Sequence, residues 1–326
     1  MKEFSAAVAY PGLPVVFAEG FRLLDGRRIS LHSHASFALT SLDGGVRTQT
    51  TVRMVESGVE FTVNGKPVEG SRGAGMRAIV DGMLSKAGVN SGVRVESANY
   101  GIATGSSDSG AAALVVALND LLELGLNENE LCCIGGLGSE TAYRSILGGL
   151  CECKVEEGDV TFSKIKGAGE LSEIRAYSVP FNLPRHSADE LHAKVVGHPA
   201  YALRASVTEG RIKMVRDYAA RKNLVGVLEV MESDARDVQR MFEEGGVTVI
   251  KPPMRKLCSA VESIRKRGIK CYWNVAGGSH VYVFAVSRYA EAVEEELENL
   301  GYSYTKLKVA GPARVWSNLV GRQMTS

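Results

Sequence analysis

The stretch of sequence that most restricts the fold runs from Gly92 to Asp120. It joins a β-branched segment, "GVRVESANYG", to a loop of small residues, "IATGSSDSG", and then to an apolar helix, "AAALVVALND". A strand, a loop and a helix in this order bring together the free backbone N–H groups of the helix start, which bind anions well. Gly105, Ser106 and Ser107 let the backbone approach such a ligand closely. The segment is therefore suited to a phosphate group.

This segment matches neither of two common phosphate-binding signatures. No lysine follows the glycines as it does in a Walker loop, and the glycine spacing of a dinucleotide fingerprint is absent. A purely structural explanation also fits, in which Ser107 or Asp108 caps a buried helix and the small residues permit close packing. On the residues alone, phosphate binding and helix capping both stay open.

Composition narrows the class of partner. The chain has 326 residues, of which 45% are hydrophobic, and two lobes are the better expectation at this length. Its 38 basic and 37 acidic residues give a net charge of +1 and form no long blocks. Neither nucleic acid nor an anionic membrane is indicated as a partner. We expect small-molecule ligands.

The N-terminal segment does not have the pattern of a signal peptide. Glu3 and Glu19 bracket its apolar run, and Pro11 and Pro14 interrupt it. No later segment reaches the roughly 18 apolar residues that a membrane helix needs. We therefore expect a cytoplasmic protein.

The cysteine spacing does not favour a metal site. The central pairs lack the two-to-four-residue gap of a zinc knuckle, and two adjacent thiolates do not easily turn to one ion. We expect reduced and mostly buried thiols at Cys132, Cys133, Cys151, Cys153, Cys258 and Cys271.

The hydrophobic periodicity changes near residue 190. Before it, β-rich segments dominate and predict an N-terminal α+β lobe over residues 1–187. After it, apolar residues recur at threes and fours and predict a smaller α/β lobe over residues 188–326, with a hinge around Pro184. The N-terminal lobe is predicted to contain helices at Gly73–Ala87, Ser109–Leu124 and Glu128–Leu147.

Three short motifs occur in the order of a known kinase superfamily. "GSS" at Gly105–Ser107 resembles the phosphate-binding motif of the galactokinase, homoserine kinase, mevalonate kinase and phosphomevalonate kinase superfamily. "YPGLPVVFAEGF" at Tyr10–Phe21 resembles its first motif, and "VAGGSHVYVFAV" at Val275–Val286 resembles its third. The resemblance implies a two-lobed small-molecule kinase fold of the α+β class that uses ATP and Mg²⁺.

A fourth motif points to one branch of this superfamily. "SETAYRSILGGL" at Ser139–Leu150 resembles the diphosphomevalonate decarboxylases and the archaeal mevalonate 3-kinases, which carry an Arg-Ser pair followed by Gly-Gly. "GSSDSGAA" and "SLHSHASFAL" are more similar to the 3-kinases. The resemblance implies a role in the mevalonate pathway of isoprenoid biosynthesis and a homodimer.

The charged residues of the decarboxylases are mostly missing. The resemblance implies that decarboxylation needs an Asp in the third motif, a Lys in the first and the Arg of the Arg-Ser pair. Arg144 matches the Arg, whereas the Asp position falls at Ala276 and the Lys position near Phe17. Phosphoryl transfer tolerates this loss, because positioning and charge neutralisation matter more than a strong base. We expect an ATP-dependent kinase of the 3-hydroxyl of mevalonate or a close relative.

The resemblance assigns the ATP phosphates to the helix start. Gly105, Ser106 and Ser107 are expected to bind the β- and γ-phosphates, with Ser106 also catalytic. Ser107 and Asp108 are the expected contacts of Mg²⁺, and Asp108 also belongs to the phosphate-binding set. Asp108 alternatively serves only as a first-turn carboxylate that the helix dipole favours.

The acceptor is assigned to the fourth motif and the lobe junction. Glu140 lies four residues before Arg144, which predicts one helix face for both. Glu140 is expected to orient the acceptor hydroxyl, or alternatively to pair with Arg144 on a solvated surface. Arg144 is expected to bind the acceptor carboxylate or the transferring phosphoryl group, since its planar fork suits either. Arg185 is a further carboxylate candidate or an ordinary surface arginine.

Three more residues complete the predicted site. Ser279 follows Gly277-Gly278 and is expected to line it, and His32 to border the substrate pocket. His32 and His34 as a metal pair lack a third ligand. Glu19 receives no role and has a plain explanation as a surface residue at a strand end.

Two alternatives remain. One is an ATP-dependent decarboxylase of phosphomevalonate or diphosphomevalonate in which other residues replace the missing Asp and Lys. The other is a non-catalytic small-molecule sensor on the same fold. The sequence does not fix whether the acceptor already carries a 5-phosphate.

Overall fold

A computed structural model describes residues 1–24, 27–68 and 70–316. Helices and strands are mixed along the chain, which confirms the predicted α+β class. The strands are β1 (Phe4–Ala9), β2 (Gly12–Val16), β3 (Phe21–Leu24), β4 (Arg27–Ser30), β5 (His34–Ser41), β6 (Arg47–Val55), β7 (Val59–Val63), β8 (Lys66–Pro67), β9 (Gly92–Tyr100), β10 (Leu150–Glu156), β11 (Asp159–Lys166), β12 (Ile174–Pro180), β13 (Cys271–Asn274), β14 (His280–Val286), β15 (Thr305–Val309) and β16 (Arg314–Val315). The α-helices are α1 (Gly70–Ala87), α2 (Ser106–Leu121), α3 (Glu128–Gly135), α4 (Ala142–Leu147), α5 (Ala188–Val196), α6 (Arg204–Ala220), α7 (Leu224–Glu244), α8 (Pro252–Lys266) and α9 (Ala290–Asn299).

Two large sheets organise the chain. One has the order β16-β1-β6-β9-β7-β8 and is antiparallel except where β7 runs parallel to β9. The other has the order β11-β10-β5-β15-β12-β14-β13, with β2 paired to β5. In this second sheet, β15 from the last third of the chain lies between β5 and β12, and β14 and β13 follow β12 at the edge. The division of lobes at residue 187 stays a prediction, although both sheets take strands from both sides of it.

Burial follows the residue patterns of these elements. Strand β6 alternates buried and half-buried residues because one face lies on α2, whereas β5 is buried on both faces. Helix α2 is buried over Asp108–Leu118, and its alanines allow β1, β6 and α4 to approach closely. Amphipathic α7 packs its apolar side on β2 and β13. These contacts form the cores on which the site rests.

The predicted helix over Glu128–Leu147 is wrong in one respect. It is interrupted after Gly135 and resumes at Ala142 as α4. Three glycines between residues 135 and 138 weaken a continuous helix, and the backbone carbonyl of Leu137 lies against Gly75 of α1. The interruption leaves Ser139, Glu140 and Thr141 in a turn that faces α2.

Two further expectations concern the cysteines and membrane-spanning helices. Five of the six cysteines are buried, as predicted. No helix among the residues described is long and apolar enough to cross a membrane.

Candidate active site

Helix α2 begins without a side-chain cap. Gly105 is the N-cap residue, with a left-handed φ of 75°, and no side chain in the described part of the protein bonds to the first-turn N–H groups. A Cβ at Gly105 would lie 2.7 Å from the carbonyl oxygen of Gly12, so glycine is required both by conformation and by space. Neither Ser107 nor Asp108 therefore caps α2. The amides of the helix start are available to an anion.

A cavity of about 390 Å³ opens at this helix start. Its walls come from the segment after β2, the turn before α4, the start of α5 and the turn between β13 and β14. The residues that line it are Pro14, Phe17, Ala18, Glu19, Thr104, Gly105, Ser106, Ser107, Asp108, Glu140, Thr141, Arg144, Arg185, His186, Ser187, Ala188, Leu191, His192, Phe242, Ala276 and Gly277.

Most of the residues predicted for the site line this cavity together. The two that do not are His32 and Ser279. His32 is buried behind the wall, where its Nε2 accepts a hydrogen bond from the Glu19 N–H at 3.3 Å. Burial, with the nearby charge of Arg204, lowers the pKa of His32. Ser279 lies in the β13–β14 turn with a φ of 61°, and its carbonyl accepts a hydrogen bond from the Phe181 N–H.

Asp108 is bound by side chains from the turn before α4 and from α4 itself. Its Oδ1 accepts hydrogen bonds from Ser139 Oγ at 2.8 Å and Thr141 Oγ1 at 2.6 Å. Its Oδ2 accepts one from Arg144 Nε at 2.7 Å, and Arg144 Nη2 completes a two-point ion pair. A carboxylate has about four acceptor positions, and all are taken here. Asp108 therefore holds Arg144 in place and has no free lone pair for Mg²⁺.

Arg144 is fixed by close packing as well as by Asp108. Its side chain crosses Gly12 of β2 so closely that a Cβ there would lie 2.1 Å from Arg144 Cδ. Arg144 Nη1 lies 3.4 Å from Ser36 Oγ. The guanidinium is thus oriented before any ligand binds, with Asp108 on one edge.

Glu140 does not share a helix face with Arg144, contrary to the spacing argument. It lies in the turn before α4, and its side chain is 10% exposed. Its Oε1 lies 3.5 Å from His192 Nε2, and its Oε2 lies 3.7 Å from Arg28 Nη1. Burial alone would raise the pKa of Glu140, but hydrogen bonding and charge from His192, together with Arg28, lower it. An ionised carboxylate therefore faces the cavity, and the alternative of a solvated Glu140–Arg144 pair is wrong.

His192 is the site residue that the sequence analysis missed. It lies on α5, between Glu140 on one side and Glu19 on the other, with Nδ1 3.4 Å from Glu19 Oε2. A sequence signal for its position exists, because Ser187 followed by Asp189 and Glu190 is typical of a helix start. Ser187 does cap α5, and its side chain accepts a hydrogen bond from the Glu190 N–H.

Glu19 is part of the cavity wall and not an exposed strand end. It is 6% exposed and faces His192. Its plain explanation as a surface residue is wrong, because β2 ends at Val16 and the following residues turn inward over α5 and α7.

Arg185 connects the segment before α5 to the segment before α2. Its Nη1 donates a hydrogen bond to the Ala103 carbonyl at 2.7 Å, just before the N-terminus of α2. No carboxylate lies within ion-pair distance of it among the residues described. Its charge is therefore available to an anionic ligand.

The two positions that the decarboxylase resemblance assigns to Lys and Asp are apolar. Phe17 and Ala276 both line the cavity, and no lysine does so among the described residues. A smaller cavity of about 80 Å³ also borders Ser106 and Ser107, and its wall contains Phe61, Val63 and Met76 together with polar Ser97 and Asn99.

Two family models match the chain in succession. Residues 25–162 match the diphosphomevalonate decarboxylase-like N-terminal domain. Residues 186–291 match the mevalonate-3-kinase C-terminal domain. Together the two matched segments make up well over half of the sequence.

Individual proteins give the same result. A mevalonate-3-kinase of Picrophilus torridus is 26% identical over 323 residues, which are 95% of this chain and 96% of that protein. A phosphomevalonate decarboxylase of Haloferax volcanii is 26% identical over 95% of this chain and 97% of its own length. The crystal structure of the mevalonate-3-kinase of Thermoplasma acidophilum with mevalonate 3-phosphate and ADP superposes with a TM-score of 0.89 at 26% identity. The superposition covers 97% of this chain and 98% of the Thermoplasma acidophilum chain.

Proposed function

We infer the function from one premise: the chain belongs to the family of mevalonate 3-kinases and diphosphomevalonate decarboxylases. We propose that it transfers the γ-phosphoryl group of ATP to the tertiary 3-hydroxyl of mevalonate and releases no carbon dioxide. One observation supports this most strongly. The cavity combines an uncapped helix start with an ionised Glu140 and a fixed Arg144, whereas Phe17 and Ala276 stand where a decarboxylase has its Lys and Asp.

The nucleotide is expected to lie across the start of α2. Ser106 and Ser107 of the first turn line the large cavity, where the phosphates would bind. The small cavity that also borders these two serines, with Phe61 and Met76 in its wall, suits the base. Gly105 permits the backbone to approach the phosphates.

Mg²⁺ fits this site through one side chain. The Ser107 hydroxyl is not needed as a helix cap and is free to bind the metal, whereas both Asp108 oxygens are occupied. Mg²⁺ usually binds through one or two protein ligands, phosphates and water, so a single hydroxyl suffices. When bound, the metal neutralises charge on the phosphates. Ser107 is the residue proposed to hold it.

The acceptor is expected to lie between Glu140, Arg144 and Arg185. Glu140 would accept a hydrogen bond from the 3-hydroxyl and take its proton as the oxygen–phosphorus bond forms and the bond to ADP breaks. Arg144 would face the transferring phosphoryl group, and Arg185 the acceptor carboxylate.

Charge balance favours an acceptor without a 5-phosphate. Asp108 neutralises Arg144, and the two carboxylates of Glu19 and Glu140 exceed the single positive charge of His192. Arg185 is then the guanidinium left without a carboxylate among the described residues of the wall, which is enough for one carboxylate group. A phosphate at the other end of the acceptor would need a second unpaired cation. The proposed acceptor is therefore mevalonate.

The test follows both products of the reaction. Purified protein is incubated with ATP, Mg²⁺ and either mevalonate, 5-phosphomevalonate or 5-diphosphomevalonate, while ADP and carbon dioxide are measured and the product is identified by phosphorus NMR. We expect ADP without carbon dioxide, and a phosphate on the tertiary oxygen of mevalonate. Equal amounts of ADP and carbon dioxide from a phosphorylated acceptor would instead establish a decarboxylase. Ligand binding without ADP formation would indicate a sensor.

The quaternary state and location are also proposals. A homodimer is proposed from the family, and sedimentation of the purified protein would test it. A cytoplasmic location is proposed from the sequence.

A further inference from the structure

His192 lies in a line of three ionisable groups that the proposed reaction uses only at one end. Its Nδ1 lies 3.4 Å from Glu19 Oε2, and its Nε2 lies 3.5 Å from Glu140 Oε1. The His192 side chain is 14% exposed, and the ring of Phe21 packs edge-on against it with centroids 5.5 Å apart. Both nitrogens of one imidazole therefore face carboxylates in a largely enclosed wall.

This environment favours the doubly protonated ring. Burial alone would lower the pKa of His192, but hydrogen bonds and charge from Glu140 and Glu19 raise it to about 10. One contact opposes a proton on Nδ1, since the Gly20 N–H points at it from 3.0 Å. The charges of two carboxylates within 3.5 Å of the ring outweigh one amide, because a nearby opposite charge favours the protonated form. We therefore expect the imidazolium at neutral pH.

Other charges around the line do not reverse this balance. The charge of His192 also acts on His34, which is fully buried and uncharged because burial lowers its pKa well below the usual value. Arg28 and Arg144 lie near Glu140 and also favour its ionised form. His192 is the cation placed between the two carboxylates.

The outer end of the line is fixed by the fold. The Glu19 N–H donates to His32 Nε2 at 3.3 Å, and the Glu19 carbonyl accepts from Tyr201 Oη at 2.6 Å. The backbone of Glu19 is thus held on both sides by side chains, so the position of its carboxylate is restricted. The position of the His192 ring is set by Glu19, Phe21 and helix α5.

We propose that protonated His192, anchored by Glu19, is a positioning residue that holds Glu140 ionised and directed at the acceptor hydroxyl. The inference rests on the proposed function, because Glu140 has this task only if an alcohol is the acceptor. His192 acts through Glu140 and not on the reacting atoms. Decarboxylases are expected to have a lysine at the position of Phe17. The positive charge of His192 replaces part of that lysine's charge from another place in the cavity wall.

The first experiment compares pH profiles of His192→Gln and the wild type with ATP, Mg²⁺ and mevalonate. Glutamine retains a hydrogen-bond donor but carries no charge. Without the charge of His192 to oppose it, burial is expected to raise the pKa of Glu140. The ratio of kcat/KM at pH 8 to that at pH 6 is expected to rise about threefold or more in His192→Gln, because each unit of pKa changes the ionised fraction up to about tenfold. His192→Lys, which restores the charge, is expected to return the ratio toward that of the wild type.

The matched control is His198→Gln. His198 also pairs with a glutamate, Glu244 at 2.8 Å, but lies outside the cavity. Its ratio is expected to equal that of the wild type. A wild-type protein that turns over mevalonate while His192→Gln keeps the wild-type ratio would overturn the inference and leave the proposed function standing. A wild-type protein that does not phosphorylate mevalonate would overturn both.

The second experiment does not depend on turnover. Nitrogen NMR of histidine-labelled protein without ligands identifies the ring of His192 by the signals that disappear in His192→Gln. We expect these signals to be those of an imidazolium at pH 8. A neutral ring at that pH would overturn the inference even if the enzyme is active.

Discussion

Ser106 and Ser107 lie in the first turn of α2 but do not cap the helix. Gly105 provides the N-cap, and neither serine hydroxyl bonds to a first-turn amide. A serine at the N-cap position normally stabilises its helix by about 1 kcal/mol, but Ser106 and Ser107 are the first two residues inside α2 and do not have that role. The hydroxyls are left for a ligand, which separates the two explanations that the sequence kept open.

This difference predicts how alanine substitutions behave. Ser107→Ala is expected to reduce kcat with mevalonate by about 10²-fold, through a lost contact to a developing charge or to Mg²⁺. Its free energy of unfolding is expected to change by less than about 0.5 kcal/mol, because no bond within the protein is lost. Steady-state kinetics and urea unfolding check the two effects. Exposed Ser259 provides the control, Ser259→Ala, and a Ser107→Ala variant with wild-type turnover would contradict the phosphate-site assignment.

The segment Phe17–Gly20 forms a cavity wall without belonging to a strand. Its backbone groups bond to side chains that come from distant parts of the chain. The Phe17 N–H donates to Asp234 Oδ2 at 2.7 Å, and the Phe17 carbonyl accepts from Arg204 Nη2 at 3.3 Å. Asp234 is itself fully buried and paired with Arg204 and Arg211. Helices α6 and α7 therefore determine where this wall lies.

Removal of the Asp234 charge is expected to loosen this wall. Asp234→Asn leaves buried Arg204 without a counter-ion, which typically costs about 3–5 kcal/mol of stability. Hydrogen exchange at the Phe17 amide is expected to accelerate more than at amides of β6. Asp237→Asn is the matched control, since Asp237 lies on the same helix, binds Arg211 and is 38% exposed. Equal exchange at Phe17 in both variants would show that Asp234 does not hold the segment.

At the scale of the whole molecule, the cavity lies where distant parts of the chain meet. The start of α2, the turn before α4, the start of α5 and the β13–β14 turn all contribute walls. The second sheet joins these parts because β12, β14 and β15 align with β5 and β10. Ionisable groups from separate segments are thereby buried together, which connects the stability of the fold to pH.

Two of these groups set opposite limits on stability. The pKa of Glu140 is lower in the folded protein than its ordinary 4.5, so its contribution is present above pH 4.5 and is lost as the pH falls through the folded value. The pKa of His192 is raised from 6.5 to about 10, so its contribution is complete below pH 6.5 and is lost as the pH rises to about 10. For this pair, the free energy of unfolding is expected to be highest between pH 4.5 and 6.5.

Urea unfolding between pH 6 and 10 checks the upper limit. The wild type is expected to lose stability across this range more steeply than His192→Gln, which lacks the titrating group. Parallel curves for the two proteins would mean that His192 is neutral in the folded state.

The sequence by itself determined the parts of this protein that depend on local pattern. Strand–loop–helix order and small residues indicated an anion site at Gly105–Ser107, and the sequence pattern predicted helices such as α1 and α2. Motifs in order identified the family and brought Glu140 and Arg144 to attention, and Arg185 was named from its place at the predicted lobe junction. These features depend on neighbours in the chain, or on patterns that a family repeats.

The tertiary structure alone decided which charges meet. Nothing near Glu19 in the sequence indicates His192, and nothing near Asp108 indicates that Arg144 will occupy its lone pairs. The spacing of Glu140 and Arg144 suggested a shared helix face, but the glycines and packing against α1 and α2 interrupted that helix. Ion pairs and hydrogen bonds act over a few ångströms in space, and folding determines which residues come within that range.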